Sequence, residues 1–347
     1  MSKRYSEIDA IRFFLALWVT IGHIGVFPLF GDPSGHVGLI VSVDKILRTV
    51  VWGAPAVIAF FIISGFCIHY AYRDGKSLPW AQFYARRYVR VLIPVAVAVA
   101  LILWIAPEVS LWGRHSILWQ GTLWSLVCEE IYYAVYPFLR IARKRVGWGA
   151  ILIASACVSI VLGYIFRGVD QWVVVGPIAT SVILFPVWIS GCVLAERASS
   201  IKVNYSSLSV WKWRGVAWLS MWVSEFMQFH MHIYVAQTMI LVGIVGYFWI
   251  SAEIAFFKST EPYDWMVSAG KWSYSLYLVH PLIIWVFMLH IRSISGRSPI
   301  GWILIVITSL FAAFIFYIFV EAPAHRLAKK ITFRSFGVAT ASGNANM

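Results

Sequence analysis

Three ionisable residues lie on one face of the first apolar segment: Asp9, Arg12 and His23. At 100° per residue, Arg12 and His23 are separated by close to three full turns of a helix, and Asp9 lies within about 60° of them. Because a helix rises about 1.5 Å per residue, His23 lies roughly 16 Å beyond Arg12. This spacing predicts Arg12 near the cytoplasmic end of a membrane helix and a neutral His23 deep within it, able to accept a proton. A histidine that only hydrogen-bonds a neighbouring helix also fits the spacing.

Two adjacent carboxylates interrupt the fourth apolar segment, where residues 124–133 read WSLVCEEIYY. An ionisable group in a spanning segment is costly unless it faces a polar interior, so the pair predicts a functional site. Neighbouring residues point about 100° apart on a helix, so only one of Glu129 and Glu130 can face any one partner. Either glutamate could carry a proton or orient His23, and the residues alone leave both roles open.

Three arginines precede the third apolar segment: Arg86, Arg87 and Arg90. Arg87 and Arg90 are three residues apart and can project from one face of a helix. Guanidinium groups placed in this way suit a ligand that carries phosphate. A basic flank on the cytoplasmic side of a membrane helix has the same composition, so this alternative stays open.

Small and hydroxylated residues mark two further segments. Residues 60–66 read FFIISGF, and residues 274–281 read YSLYLVHP. The Ser64-Gly65 pair is typical of close helix packing. His280 precedes a proline, so it can satisfy backbone groups that the proline frees, or it can contact a ligand.

The segments that must position these residues are long and apolar. The chain of 347 residues is 61% hydrophobic and only 12% charged, whereas a soluble domain carries roughly a quarter charged residues. An apolar run of about eighteen residues or more can cross a hydrocarbon core of about 30 Å as a helix. The sequence therefore predicts an all-α integral membrane protein with about ten transmembrane helices. They are placed near residues 8–30, 49–72, 88–106, 119–139, 147–166, 172–195, 214–234, 236–257, 267–291 and 301–321.

Charge supports this arrangement. The net charge of +13 comes from short basic clusters between the apolar runs, which the positive-inside rule expects in cytoplasmic loops. We therefore predict both termini in the cytoplasm and no binding of nucleic acid. The stretch 214–257 is divided at a turn near Glu225, His230 and His232, to which no role is assigned. Residues 1–334 are predicted to form one transmembrane domain and residues 335–347 a disordered tail.

The polar motifs occur in a specific order along the chain. They are Arg12 with His23, the FFIISGF segment, Arg87 with Arg90, the WSL segment with Glu129 and Glu130, Tyr274-Ser275-Leu276-Tyr277 with His280, and Glu321 with Pro323. From Ile8 to about Arg326 they resemble the acyltransferase-3 family of membrane-bound acyltransferases, which modify cell-envelope polysaccharides and related molecules. Each motif alone is weak, whereas the collinear set is specific.

The resemblance implies a ten-helix enzyme that passes an acyl group, commonly acetyl, from cytoplasmic acyl-CoA to an acceptor hydroxyl on the far side. It implies a multi-pass protein of the bacterial inner membrane and no metal. The implied catalytic residues are His23 as base or relay, supported by Arg12, Asp9, Glu129 and Glu130. The implied contacts to acyl-CoA are Arg86, Arg87, Arg90 and Tyr277. The implied substrate contacts are Ser64, Trp124, Ser125, Tyr274 and His280.

The expected acceptor is a surface polysaccharide or its lipid-linked precursor, with succinyl transfer or acylation of a secreted small molecule as alternatives. Membrane lipids are further expected partners, and a homo-oligomer is left open. Many relatives carry an extracellular hydrolase-like domain that this sequence lacks, so the acceptor is expected to reach the membrane site directly or through a separate partner. A proton-coupled transporter uses similar buried residues, although no inverted repeat is detectable. A non-catalytic scaffold is the third interpretation.

Overall fold

The described part of the chain is built from α-helices, as the sequence predicts. The computed structural model describes residues 5–28, 43, 50, 53–73, 75–107, 123–169, 175–201, 206–233, 235–291 and 298–332. Within these ranges there is no β-strand. The predicted disordered tail, residues 335–347, lies outside the described residues.

The helices follow one another with short connections where these are described. They are α1 (Ser6–Ile24), α2 (Ala54–Tyr72), α3 (Trp80–Ile105), α4 (Trp124–Ile165), α5 (Pro177–Arg197), α6 (Ser207–Met231), α7 (Val235–Phe256), α8 (Asp264–Gly270), α9 (Ser273–His290), α10 (Pro299–Phe316) and α11 (Ala322–Lys330). A π-helical turn, Tyr317–Glu321, joins α10 to α11. Each predicted apolar segment overlaps one of these helices.

Seven helical stretches in the described ranges are long and apolar enough to cross a membrane. Neither α1 nor α6 is among them, and α1 carries three charged residues in its first two turns, Glu7, Asp9 and Arg12. The count of ten spanning helices and the cytoplasmic placement of the termini therefore stay predictions. Large apolar side chains cover the outside of the bundle, where Trp104 and Ile178 are 79% and 74% exposed. Such side chains suit contact with lipid rather than water.

Two glycines mark local divisions of the apolar segments. The predicted segments 119–139 and 147–166 correspond to the two halves of α4, which meet at a kink where Gly147 is not helical (φ 77°, ψ 161°), a conformation that glycine adopts without steric cost. The predicted segment 267–291 is broken after Gly270 into α8 and α9. A Cβ atom at Gly270 would collide with the Asp9 carbonyl, so this break lets α8 end directly against α1.

The division of the long apolar stretch 214–257 is confirmed. Helix α6 ends at Met231, and His232 follows in the left-handed conformation (φ 55°, ψ 29°). The His232 N–H donates to the Met227 carbonyl, which closes the helix end. Because the chain reverses here, α6 and α7 pack against each other as a hairpin.

Helices α2 and α5 approach each other closely through two glycines. A Cβ atom at Gly65 would collide with the Trp188 carbonyl, and one at Gly191 would collide with the Ile62 carbonyl. Small residues at such a crossing allow two helix backbones to touch. This contact places Ser64, the neighbour of Gly65, against the Trp188 indole, whose Nε1 donates to Ser64 Oγ at 3.2 Å.

We expect Gly65→Ala to lower the free energy of unfolding by roughly 2 to 3 kcal/mol, since the new methyl group meets backbone that cannot move aside. Gly149→Ala is the matched control, because a Cβ atom there meets nothing within 4 Å and alanine is the better helix former. Thermal unfolding of the purified variants measures both. Equal melting temperatures for the two variants would contradict the close contact of α2 with α5.

Candidate active site

A cavity of about 400 Å³ lies among α1, α2, α3, α4, α9 and the chain after α10. Its charged and ionisable lining residues are Asp9, Arg12, Arg87, Arg90, Glu129, Glu321, His325 and Lys329, together with Cys67 and the tyrosines 133, 274 and 277. Serine hydroxyls and apolar side chains of α2 complete the wall. A concave site with a few convergent polar groups among apolar walls is the usual form of a small-molecule site.

The Arg12 side of the cavity is organised around Glu321. This carboxylate is 5% exposed and accepts two hydrogen bonds from Ser275, one from the backbone N–H at 3.1 Å and one from Oγ at 2.6 Å. Arg12 and Arg90 are its cationic neighbours. Two arginines from different helices are therefore held beside one buried carboxylate, which offsets part of the cost of burying their charges.

The Arg87 guanidinium lies over the Tyr133 ring, with Cζ 3.9 Å from the ring centroid. Its Nε atom is buried and has no hydrogen-bond partner. A buried donor without a partner is costly, so this atom is suited to an acceptor supplied by a ligand. Arg86 differs, because its Nε donates to the Ile331 carbonyl at 2.9 Å and the side chain does not line the cavity.

A chain of hydrogen bonds runs from α5 to α4, and every bond in it is donated in the same sense, towards α4. The Trp188 indole donates to Ser64, the Ser64 hydroxyl lies 3.1 Å from the Tyr133 hydroxyl, and Tyr133 donates to the Glu129 carboxylate. Because the indole only donates and the carboxylate only accepts, each hydroxyl must donate towards Glu129. The Glu129 side chain is therefore fixed on the cavity wall. Glu130 does not line the cavity, and its Oε2 atom is buried without a partner.

The inner end of the cavity is closed by a pair of hydroxyl groups. Ser125 Oγ and Tyr277 Oη are 2.7 Å apart, and both residues line the cavity. Either hydroxyl can be the donor in this bond. Tyr274 also lines the cavity and donates to the Val91 carbonyl at 3.2 Å, whereas Trp124 lies outside the lining and packs edge-on against Phe61.

His23 and His280 form a pair beyond this inner end. His280 Nε2 lies 3.3 Å from His23 Nδ1, and the Tyr277 and His280 rings pack edge-on with centroids 6.0 Å apart. His280 Nδ1 is 3.0 Å from the Leu276 carbonyl, and His23 Nδ1 is 2.8 Å from the Val19 carbonyl. A carbonyl only accepts, so each neutral ring carries its proton on Nδ1. His280 Nε2 is then an acceptor, and the His23 Nε2 lone pair has no hydrogen-bond donor among the residues that the structure describes.

The predicted position of His23 deep within the first helix was wrong. Helix α1 ends at Ile24 rather than near residue 30, so His23 lies in its last turn. The predicted distance between Arg12 and His23 along α1 is kept, because both residues lie in one uninterrupted helix. Arg12 lines the cavity, and His23 lies beyond it at the opposite end of the site.

Comparison with known proteins agrees with this geometry. A family model described as an acyltransferase domain, that of the acyltransferase-3 family, matches residues 5–318. The chain belongs to this family. It is therefore a multi-pass membrane protein of the acyltransferase-3 family. "Acyltransferase MdmB" of Streptomyces mycarofaciens is 28% identical over 184 residues, which are 45% of this chain and 46% of that protein. The match thus spans less than half the length of the curated relative, and no solved structure shows significant similarity.

Two lining residues of the acyltransferase were not predicted. His325 and Lys329 belong to α11, whose basic residues had been interpreted only as a cytoplasmic flank. The spacing of His325 and Lys329 could have indicated a shared site, because residues four apart lie on one face of a helix. Helix α11 packs against α3, which brings this face to the cavity. Within the described ranges, no group of three His, Cys, Asp or Glu side chains is placed to hold a metal ion.

The polar residues of α6 lie apart from the site of the acyltransferase. Glu225 is 1% exposed, and neither of its carboxylate oxygens has a hydrogen-bond partner. Glu253 of α7 is equally buried but accepts two hydrogen bonds from Arg214, at 2.7 and 2.9 Å. His230 stacks on Phe226, with ring centroids 4.5 Å apart, and His232 forms the turn that ends α6.

We expect opposite effects on stability from these two glutamates. Arg214→Gln leaves the Glu253 carboxylate buried without its cation and should lower the free energy of unfolding by roughly 3 kcal/mol. Glu225→Gln removes an ionisable group that has no partner and should leave the melting temperature unchanged or raised. Thermal unfolding in one detergent compares them. A large loss of stability in Glu225→Gln would mean that this carboxyl group makes a stabilising contact.

Proposed function

We propose that this membrane acyltransferase moves an acyl group, commonly acetyl, from acyl-CoA to a hydroxyl of a surface polysaccharide or of its lipid-linked precursor. The observation that carries the proposal is the series of side-chain contacts from the arginine-lined cavity to His23. Tyr277 lines the cavity and packs against His280, and His280 contacts His23. These contacts connect a donor site to a base.

The cavity suits the acyl end of the donor. Its volume of about 400 Å³ lies near the lower end of the range for small-molecule sites. In this proposal it encloses the acyl group and the neighbouring pantetheine arm, and the phosphates lie among Arg87, Arg90 and Lys329. The buried Arg87 Nε, which has no partner, supports an anionic ligand at this position.

His23 supplies the base. Since His23 Nδ1–H is directed to the Val19 carbonyl, the exposed Nε2 can accept the proton of an acceptor hydroxyl. His280 accepts at the same Nδ1 and stabilises the imidazolium that forms. The exposed position of His23 suits an acceptor that approaches from the end of α1 opposite to Arg12.

The reaction balances without a further reactant. The acceptor O–H proton passes to His23 Nε2, and the oxygen attacks the thioester carbonyl carbon to form a C–O bond. In this proposal the tetrahedral oxyanion accepts a hydrogen bond from the cavity-lining hydroxyl of Ser125. The C–S bond then breaks, and the CoA thiolate takes up the proton held at His23 Nε2, so that CoA leaves as the thiol and His23 returns to its neutral form.

The test uses purified protein in lipid with acetyl-CoA labelled in the acetyl group. We expect free CoA thiol to appear only when an acceptor is added, and the label to appear in that acceptor. Surface-glycan extracts and secreted small molecules serve as separate acceptor pools, and succinyl-CoA tests the acyl group. Movement of a labelled solute across the vesicle without release of CoA would contradict acyl transfer and favour the transporter interpretation.

A further inference from the structure

A second cavity opens on the side of the helix bundle. It measures about 790 Å³ and lies between the second half of α4, α5 and α7. Three of its lining residues, Ile153, Ile244 and Phe248, are 67%, 51% and 48% exposed, so the cavity opens outwards rather than into the bundle. In a membrane protein this opening faces the hydrocarbon region, where lipid is the available occupant.

The length of this lateral cavity matches one leaflet. Along α5 it extends from Pro186 to Arg197, which is roughly 16 Å at 1.5 Å per residue. A hydrocarbon core of about 30 Å gives each leaflet about half of that thickness. The walls along most of this length are apolar, formed by residues such as Leu152, Ala156 and Val187. Such a surface accommodates acyl chains.

One end of the lateral cavity is basic. Arg143, Glu196 and Arg197 line it there, and Lys144 and Arg145 are exposed beside it. The Glu196 charge is already neutralised, because Glu196 forms an ion pair with Arg143, and its Oε1 atom lies 2.6 Å from His69 Nε2. In the part of the chain that the structure describes, the exposed Arg197 side chain has no acidic partner. The end therefore carries a net positive charge.

The bend in α4 shapes this end. Gly147 turns the second half of the helix away, and the next residue, Trp148, is 6% exposed and packs edge-on against His69, with ring centroids 4.8 Å apart. Lysine and arginine side chains near helix ends commonly reach the membrane interface. Arg197, the last residue of α5, is therefore placed to meet a lipid phosphate.

We propose that the lateral cavity binds a phospholipid with an anionic headgroup. Its acyl chains lie along α4, α5 and α7, and its phosphate meets Arg197 and the basic residues beside Arg143. The apolar walls require a lipid, and the net positive charge at the headgroup end selects an anionic lipid over a zwitterionic one. This inference does not depend on the proposed acyl transfer.

The experiment mixes the full-length protein in detergent with equal amounts of phosphatidylglycerol and phosphatidylcholine that have the same acyl chains. Native mass spectrometry then counts the bound lipids. We expect wild type to retain phosphatidylglycerol preferentially and Arg197→Gln to lower that preference about fivefold. Arg197→Lys keeps the charge and should keep the preference. Ala156→Trp fills the cavity and should lose both lipids.

Arg167→Gln is the matched control, since Arg167 is exposed at the other end of α4 and stacks on Tyr164. It should bind phosphatidylglycerol as wild type does, and melting temperatures verify that every variant is folded. Equal retention of the two lipids by wild type would overturn the proposal. The proposal would also be overturned if Arg167→Gln lost the preference for phosphatidylglycerol as much as Arg197→Gln does. Retention of phosphatidylglycerol by Ala156→Trp, or a glycolipid co-purified at this site in place of a phospholipid, would overturn it as well.

Discussion

His23→Gln is expected to reduce transfer of the acyl group to the acceptor roughly a thousandfold, which is the contribution of a well-placed general base. Glutamine keeps the approximate size of the side chain and a hydrogen-bonding group near Val19, but it cannot accept the hydroxyl proton. The loss should appear in kcat, because the arginine-lined cavity that binds the donor is unchanged. Initial rates of label transfer from acetyl-CoA measure it.

His290→Gln is the control for this substitution. His290 also lies in the last turn of a helix, α9, and is exposed, but it does not line the cavity. We expect it to keep wild-type activity. The catalytic assignment is wrong if His23→Gln remains active, or if His290→Gln loses activity to the same extent.

Replacement of His280, the partner of His23, should reduce activity less than replacement of His23 does. We expect His280→Phe to lower the rate of transfer about tenfold, because the Val19 carbonyl still holds His23 Nδ1.

Arg87→Met and Arg90→Met are each expected to raise the KM for acetyl-CoA by roughly 10- to 100-fold, since each removes a charge-assisted hydrogen bond to phosphate. The pair lines the cavity from one face of α3. Methionine keeps most of the apolar stem, so the loss reports the guanidinium rather than packing. Steady-state rates over a range of donor concentrations separate KM from kcat.

Two comparisons make this prediction specific. Arg86→Met should have little effect on KM, because Arg86 donates to the Ile331 carbonyl outside the cavity. Acetyl-pantetheine, which lacks the phosphates, should react slowly and equally with wild type, Arg87→Met and Arg90→Met. If the two variants also lose activity with the truncated donor, the arginines support the fold of the site and do not contact phosphate.

Much of the site could be predicted because it depends on helical periodicity within single segments. Asp9 and Arg12 line the cavity from one face of α1, as their spacing predicts, and Arg87 and Arg90 do so from α3. The two adjacent glutamates also behave as helix geometry requires, since Glu129 lines the cavity and Glu130 does not. Local geometry of this kind follows from the 100° turn per residue and needs no knowledge of the neighbours.

Contacts between helices could not be predicted in the same way. His23 and His280 are 257 positions apart, and their pairing depends on how α1 and α9 pack. The position of His23 within α1 was predicted wrongly because apolar length does not reveal that α1 ends at Ile24. Lys329 belongs to a basic segment whose composition also fits the cytoplasmic flank of a membrane helix. Only the packing of α11 against α3 brings this residue to the cavity.

The amino-acid sequence by itself determined that this protein is helical and apolar, and it determined which residue types each helix presents on which face. These properties follow from composition and from a periodicity that operates within one helix. The tertiary structure alone decided which helix faces meet. These contacts pair His23 with His280, form the chain of hydrogen bonds that ends at Glu129, and enclose the lateral cavity with its basic end. Each of these depends on side chains from helices distant in sequence, and the close approach of α2 and α5 at Gly65 and Gly191 is one of the contacts that bring them together.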